Sequence, residues 1–340
     1  MLSNLNLMET TYFLGIDVSK KKLDAALTID GKSVCPFNFE NSVKSIAGFF
    51  KSLGEKVPLG GLIVCMEHTG IYCQLLLNYL SDHEIRTCLE RAVQIKKSQG
   101  LVRGKNDEID AERIAFYAYK NREELKFWHP RRPVILKIKA LLAVRERLVK
   151  AKGELSVPIE EGVDFVDPNI QKQISSACRQ SIRAMEKDIN ATEDMIDKLI
   201  DDDEQLKTQF TRASSVVGIG KITALNIIVA TGEFHEIREA KKFACYAGVA
   251  PFEYSSGTSV RGKTRVSKLA NMTIKKLLHL SAMAAINYDP ELRAYYHRKV
   301  SAGKNKMSAL NGVRNKLIAR VYACIRDQRE FQKSYVHQLA

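Results

Sequence analysis

The stretch LGGLIVCME (59–67) constrains the fold more than any other part of the chain, because it is apolar at every position from Leu62 to Met66. Side chains alternate in direction along a strand, so such a strand needs a packed layer on both faces. A parallel strand inside a helix-covered sheet meets that condition. The flanking segments supply the rest of a sheet. YFLGIDVSKKKLDAALTI (12–29) reads as two short strands joined by a lysine-rich turn, and VCPFNF (34–39) as a third strand after the turn residues Asp30 and Gly31, which makes an antiparallel meander. An amphipathic stretch over 42–53 precedes the apolar strand. Helical patterning over 71–82, a short strand over 86–89 and a helix over 107–120 follow it.

The resulting order, β-β-β-α-β-α-β-α, is that of ribonuclease-H-like folds. After Pro130 and Pro133 the pattern turns helical. Residues 134–155 form a basic amphipathic helix, and 170–200 another, with Cys178, Ile182, Met185, Ile189, Ile196 and Leu199 spaced near a heptad seam that Thr192 interrupts. A coiled coil between chains and a hairpin within one chain would show the same spacing. The acidic run Asp201, Asp202, Asp203, Glu204 reads as a solvated linker. Residues 212–330 read as mainly helical, broken by glycine-containing turns at 218–220, 257–262 and 303. At roughly 100–200 residues per domain, a chain of 340 residues divides into an α/β domain at 10–130, a helical connector at 131–205 and a helical domain at 206–330.

Charge points to a partner class. Lys and Arg number 53 against 39 Asp and Glu, a formal net charge of +14. Residues 206–340 contain 23 basic and 8 acidic residues, so the whole excess lies there. A basic segment attached to a neutral one fits a polyanion, since each neutralised phosphate releases counterions. With 45% hydrophobic and 27% charged residues, the chain reads as folded rather than disordered. No apolar run approaches the roughly 18 residues of a membrane span. MLSNLNLMET lacks the features of an export signal, and Cys35, Cys65, Cys73, Cys88, Cys178, Cys245 and Cys324 form no CxxC pair. A cytoplasmic protein, nucleoid-associated when acting, is expected.

Four carboxylates stand where chemistry could use them. Asp17 lies in GIDVSKKKLD, Glu67 ends the apolar strand in VCMEHTG, and Asp107 and Asp110 stand three apart in GKNDEIDAERIA, on one face of a helix start. Gathered at the end of an apolar sheet they would repel one another unless divalent cations intervened. Mg²⁺ suits hard oxygen donors and can bridge to phosphates. Read singly, Asp17 could cap a turn, Glu67 could be an exposed strand end, and Asp107 and Asp110 could serve the helix terminus. Asp24 is a substitute where the second strand begins, and His68 would point to the opposite face.

Two further segments suit phosphate. SSVVGIGKITALNIIVATG (214–232) sets Gly218, Gly220 and Lys221 before an apolar helix, as in a helix-hairpin-helix element; a plain connecting turn would look alike. YSSGTSVRGKTRVSK (254–268) packs Ser255, Ser256, Thr258 and Ser259 around Gly257, followed by Arg261, Lys263, Arg265 and Lys268. A serine there could attack phosphorus if a base or metal took its proton; without one the segment is a phosphate-binding loop. Lys275 and Lys276 follow, with Arg314 and other cations interleaved with Tyr288, Tyr295 and Tyr296.

Together these segments resemble the insertion sequence 110 family of transposases. GIDVSKKKLD, VCMEHTGIY, GKNDEIDAERIA, VVGIGKITA, FACYAGVAPFEYSSGTSVRGKTRVSK and MTIKKLLHLSAMAA occur in that family's order and at similar spacing. The resemblance implies a RuvC-like DEDD nuclease domain, a coiled-coil connector and a helical transposase domain. It puts the acidic set on Asp17, Glu67, Asp107 and Asp110 and the nucleophile on Ser256, with Ser259 as the fallback. It further implies Mg²⁺, a covalent serine–DNA intermediate in a composite site, a non-coding bridge RNA that pairs with donor and target DNA, and dimers or tetramers. Two rivals stay open: a ribonuclease-H-like protein that only binds nucleic acid, and an actin-like-fold kinase, although no second phosphate-binding strand pair is found.

Overall fold

The computed structural model describes residues 12–29, 31–98, 107–256, 260–266 and 269–333, without the side chains of 33–35, 107–108, 252–256 and 260–265. It divides into two compact units, Met1–Pro130 and Arg131–Ala340.

The first unit is built on strands β1 (Tyr12–Val18), β2 (Lys22–Ile29), β3 (Lys32–Glu40), β4 (Leu62–Glu67) and β5 (Arg86–Glu90). Helices α1 (Val43–Gly54), α2 (Gln74–Asp82), α3 (Ala92–Ser98) and α4 (Asp107–Lys120) complete it. The sheet order is β3-β2-β1-β4-β5, with β1, β2 and β3 antiparallel and β1, β4 and β5 parallel. This is the ribonuclease-H-like arrangement read from the sequence. Strand β4 lies inside the sheet between β1 and β5, and Leu62 to Met66 are all buried. One sheet face, with Leu14, Ile16, Leu23, Ala25, Val64 and Met66, packs on Ile46 and Phe50 of α1 and Leu76 and Leu80 of α2. The other, with Phe13, Ile63, Cys65 and Cys88, packs on Ile95 of α3 and Ile114 and Ala118 of α4.

Gly15 sets the distance between sheet and α4. A Cβ there would lie 2.2 Å from both the Ala111 carbonyl oxygen and the Ala115 nitrogen, so only a residue without a side chain lets the helix backbone approach β1 this closely.

The second unit begins with α5 (Pro133–Glu161) and α6 (Pro168–Asp201), packed side by side as a hairpin. Asp167 caps α6 by accepting from the Asn169 and Ile170 N–H groups, and Pro168 occupies the first turn, where its missing N–H costs nothing. Arg145–Glu193 and Lys152–Glu186 ion pairs join the arms. Thr192 does not break the seam: it is buried, and its hydroxyl donates to the Asp188 carbonyl at 2.7 Å, which removes the cost of burying it.

Beyond the hairpin come α7 (Glu204–Ser214), α8 (Lys221–Thr231), α9 (Ala240–Tyr246), β6 (Pro251–Ser256), β7 (Val260–Val266), α10 (Met272–Tyr288), α11 (Pro290–Ser301) and α12 (Lys306–Arg326). Two readings are corrected here. The acidic run is only partly a solvated linker: Asp201, Asp202 and Glu204 are exposed, but Asp203 caps α7 at the Leu206 N–H and pairs with Arg132 at 2.8 Å. Arg132 also grips the buried Glu233. The serine-rich segment is not simply a loop in a helical region, since β6 and β7 pair antiparallel on either side of it. Leu225, Ile228, Phe243, Leu278, Val313 and Leu317 lie in the core of this unit.

Candidate active site

The acids of the first unit are placed by strand register. In β1 and β2, Asp17 faces Asp24; in β4 and β5, Glu67 faces Glu90. The β1–β4 pairing runs to Ile16 opposite Met66, so Asp17 and Glu67 occupy the next step. Directly paired residues point to the same side. Counting by twos from Phe13, Ile63 and Cys88 puts Asp17, Glu67 and Glu90 on the face covered by α4. Asp24 joins them, since Leu23 and Ala25 point the other way. Asp107 opens α4 and Asp110 lies on its first turn, next to Ala111, whose carbonyl oxygen approaches Gly15. Asp17 and Glu67 therefore share the sheet face that α4 covers, and Asp107 and Asp110 lie at the start of that helix.

Asp17 and Glu67 are half-buried, Asp24 is 2% exposed, and several carboxylates have cations of their own. Asp24 lies 2.6 Å from Lys22 Nζ, and Arg113 Nη1 donates to Asp110 at 2.8 Å. Among the described residues no group of three or more His, Cys, Asp and Glu side chains is gathered tightly enough to hold a metal ion; the Asp107 side chain lies outside them. The donor set itself, hard carboxylate oxygens on a shared face, is the chemistry that Mg²⁺ or another hard divalent ion takes.

Glu90 is the acid that sequence reading missed. Its carbonyl accepts from the His68 N–H at 2.9 Å, and Cys88 Sγ lies 3.7 Å from its carboxylate. Burial, aided by Glu90, pushes the Tyr117 phenol up to about 12. A hydrogen bond with Cys88, together with burial, pushes the Cys65 thiol up, so both remain protonated at neutral pH. His68 lies beyond β4, exposed, with Nδ1 accepting from the Gly70 N–H.

In the second unit, Ser256 is the last residue of β6, opposite Val260. Its side chain is outside the described set, as are those of Arg261, Lys263 and Arg265; Gly257, Thr258, Ser259 and Lys268 lie wholly outside the described residues. The roots of the hairpin are anchored. Asn311 Nδ2 donates to the Val249 carbonyl at 2.7 Å, and the Asn271 N–H donates to the Tyr246 carbonyl at 2.9 Å. Lys275 lies against Gly248, and Lys276 is exposed. Gly218, at φ +97°, allows close packing against the Ser281 carbonyl, a structural task the sequence did not reveal. Gly220 caps α8 with open space around it, and Lys221 is held by Asp197 at 2.6 Å.

Two family models match the chain. One, described as "Transposase" and named for DEDD proteins of insertion sequence IS110, covers residues 14–166; the other, "Transposase IS116/IS110/IS902 family", covers residues 211–297. The chain is 26% identical over 339 residues to a pilin gene-inverting protein of Moraxella bovis, spanning 96% of this chain and 99% of that one. It is 32% identical over 171 residues to a 43.6 kDa protein of insertion element IS110 from Streptomyces coelicolor, covering 50% of this chain and 39% of the other. Among solved structures, T. thermophilus RuvC in complex with a Holliday junction substrate aligns over 35% of this chain and 99% of its own, with 12% identity and a TM-score of 0.28. The ribonuclease-H-like fold is carried by the strand order β3-β2-β1-β4-β5.

Proposed function

Since the chain belongs to the IS116/IS110/IS902 family of transposases, we propose that it cuts and rejoins DNA by serine attack on a phosphodiester, with Asp17, Glu67, Asp107 and Asp110 as the metal-holding acids. The observation that supports the acid assignment is the β1–β4 register, which pairs Ile16 with Met66 just before Asp17 and Glu67, on a sheet where α4 packs closely over Gly15. Mg²⁺, when bound, supplies positive charge to the phosphate oxygens and the leaving oxygen. Ser256 Oγ forms the new bond to phosphorus as the bond to a deoxyribose oxygen breaks. The hydroxyl proton is lost and the leaving oxygen gains one. One phosphoester replaces another, so the energy of the DNA linkage is kept for rejoining. Gly218, Gly220, Lys221, Arg261, Lys263, Arg265, Lys268, Lys275 and Lys276 contact nucleic-acid backbone. Donor and target DNA are read through pairing with a non-coding bridge RNA, which suits a surface rich in cations rather than base-reading groups, and the chain acts in the cytoplasm as a dimer or tetramer.

The test incubates the full-length protein with labelled donor and target DNA, RNA from the flanking region and Mg²⁺, then measures protein–DNA adducts that survive denaturation. Adducts formed by the unmodified protein and lost in both Ser256→Ala and Asp17→Asn are expected. Adducts persisting in Ser256→Ala would move the nucleophile to Ser259 or elsewhere. Cut DNA without any adduct would refute serine attack in favour of water.

A further inference from the structure

Helices α10 and α12 pack together and carry no Asp or Glu, yet Arg314 of α12 is 5% exposed. A buried guanidinium is normally matched by a carboxylate. Here there is none among the described residues. Nε has no hydrogen-bond partner, and Nη1 makes a long 3.4 Å contact with Asn311 Oδ1. Nη2 lies 2.5 Å from His279 Nδ1. Arginine offers donors only and keeps its charge, so Nδ1 must be the acceptor and the imidazole proton must sit on Nε2. Nε2 has no partner among the described residues and is not enclosed.

The ring is also kept neutral. Burial, then the charge of Arg314, holds His279 below the ordinary imidazole range. On the other elements against α10, Lys221 of α8 is paired with Asp197, and Glu291 of α11 is paired with Arg320. His279 thus presents one N–H in a fixed direction and has no free nitrogen with which to act as a base.

This ring lies about one helical turn from two residues that meet the segment leading into the serine hairpin. Asn311, one turn before Arg314, holds the Val249 carbonyl. Lys275, one turn before His279, lies against Gly248. We propose that His279 donates a hydrogen bond to a nucleic-acid phosphodiester, with Arg314 as the positioning residue that fixes its tautomer. A phosphodiester fits because its free oxygens only accept and carry charge, which an acid-free helix pair bearing lysines attracts. The inference rests on the nucleic-acid reading above.

The test measures affinity of the full chain for a labelled DNA duplex and for single-stranded RNA across salt concentration and between about pH 5.5 and 8. His279→Ala should weaken binding about 10-fold, the loss of one hydrogen bond to a charged group, on whichever polymer supplies the phosphate. It should leave the salt slope unchanged, because a neutral donor displaces no counterion, whereas Lys275→Ala should lower the slope by about one. Arg314→Met frees Nδ1, so binding should become tighter in acid, and adding His279→Ala should abolish that pH dependence. If Arg314→Met fails to fold, ¹⁵N spectra of the unmodified protein decide: Nδ1 unprotonated supports the proposal and Nδ1 protonated overturns it. His279→Ala at full affinity, with steep salt dependence retained, overturns this proposal and leaves the nucleic-acid reading standing. Absence of binding to either polymer overturns both.

Discussion

Replacing Gly15 by alanine adds one methyl group where the structure has no room for it. The new carbon would sit 2.2 Å from two backbone atoms of α4, and ordinary contact begins near 3.4 Å, so the helix must retreat by about 1.2 Å. Backbone cannot rotate aside as a side chain can. Overpacking of this kind costs typically 1–3 kcal/mol, and because a whole helix must shift we expect about 3 kcal/mol here. Trp128, the one tryptophan, packs against the core of the first unit and reports on it by fluorescence during urea unfolding. Gly48→Ala in α1 is the control: nothing lies within 4 Å of a Cβ there, so the same chemical change should stabilise by about 0.5–1 kcal/mol. Since Asp107 and Asp110 ride on the displaced helix, Gly15→Ala should also lower adduct formation about 100-fold. An unfolding midpoint at or above that of the unmodified protein, with adducts retained, would refute the close approach and the site geometry built on it.

Arg132→Met should destabilise the second unit by about 3 kcal/mol in thermal unfolding, because Glu233, 6% exposed on its side chain, would lose its cation while staying buried; unchanged stability would show that Gln205 Nε2, 3.3 Å away, suffices. Burial raises the Asp203 carboxyl, but Arg132 and the Leu206 N–H outweigh it and hold it below the usual range. Its contribution is therefore complete above about pH 4 and lost as pH falls through the lowered value. The drop in melting temperature on acidification should be smaller in Asp203→Asn than in the unmodified protein, and an equal drop would assign the acid sensitivity elsewhere. Gly218→Ala should cost about 2–3 kcal/mol, since its φ of +97° disfavours a side chain and the Cβ would lie 2.6 Å from the Ser281 carbonyl oxygen; a neutral result in calorimetry would contradict that packing.

The sheet was legible because apolar runs and turn residues act locally. LIVCM declares burial on both faces whatever the rest of the chain does, and the meander follows from turn chemistry. Asp17 and Glu67 could be singled out because each directly follows an apolar run in a strand. Glu90 could not, since its place beside Glu67 depends on how β5 aligns with β4, and no single segment encodes that alignment. Asp203 was hidden for a similar reason: a run of four acids looks solvated until Arg132, far away in sequence, selects one of them. The strands β6 and β7 escaped notice because the hydroxyl and cationic residues of this stretch conceal the alternation of a two-stranded ribbon. Thr192 looked like a defect in the seam because its hydrogen bond to the preceding turn is invisible in a hydrophobicity pattern.

The hairpin of α5 and α6 is not equally firm along its length. Its buried side chains, Ile135, Ile138 and Leu142 on one arm and Thr192, Ile196 and Ile200 on the other, are all at the base, and no residue from 143 to 191 is buried. Toward the tip the arms are held by ion pairs, by Gln171 donating to the Ile159 carbonyl and by their own backbone ladders, while Val157, Val163, Phe165 and Ile170 stand exposed. Local opening should therefore cost little at the tip and approach the global unfolding free energy at the base. Amide exchange would show this as a gradient running down both arms together, with the hairpin opening from its tip like a zip whose lower teeth stay locked in the core.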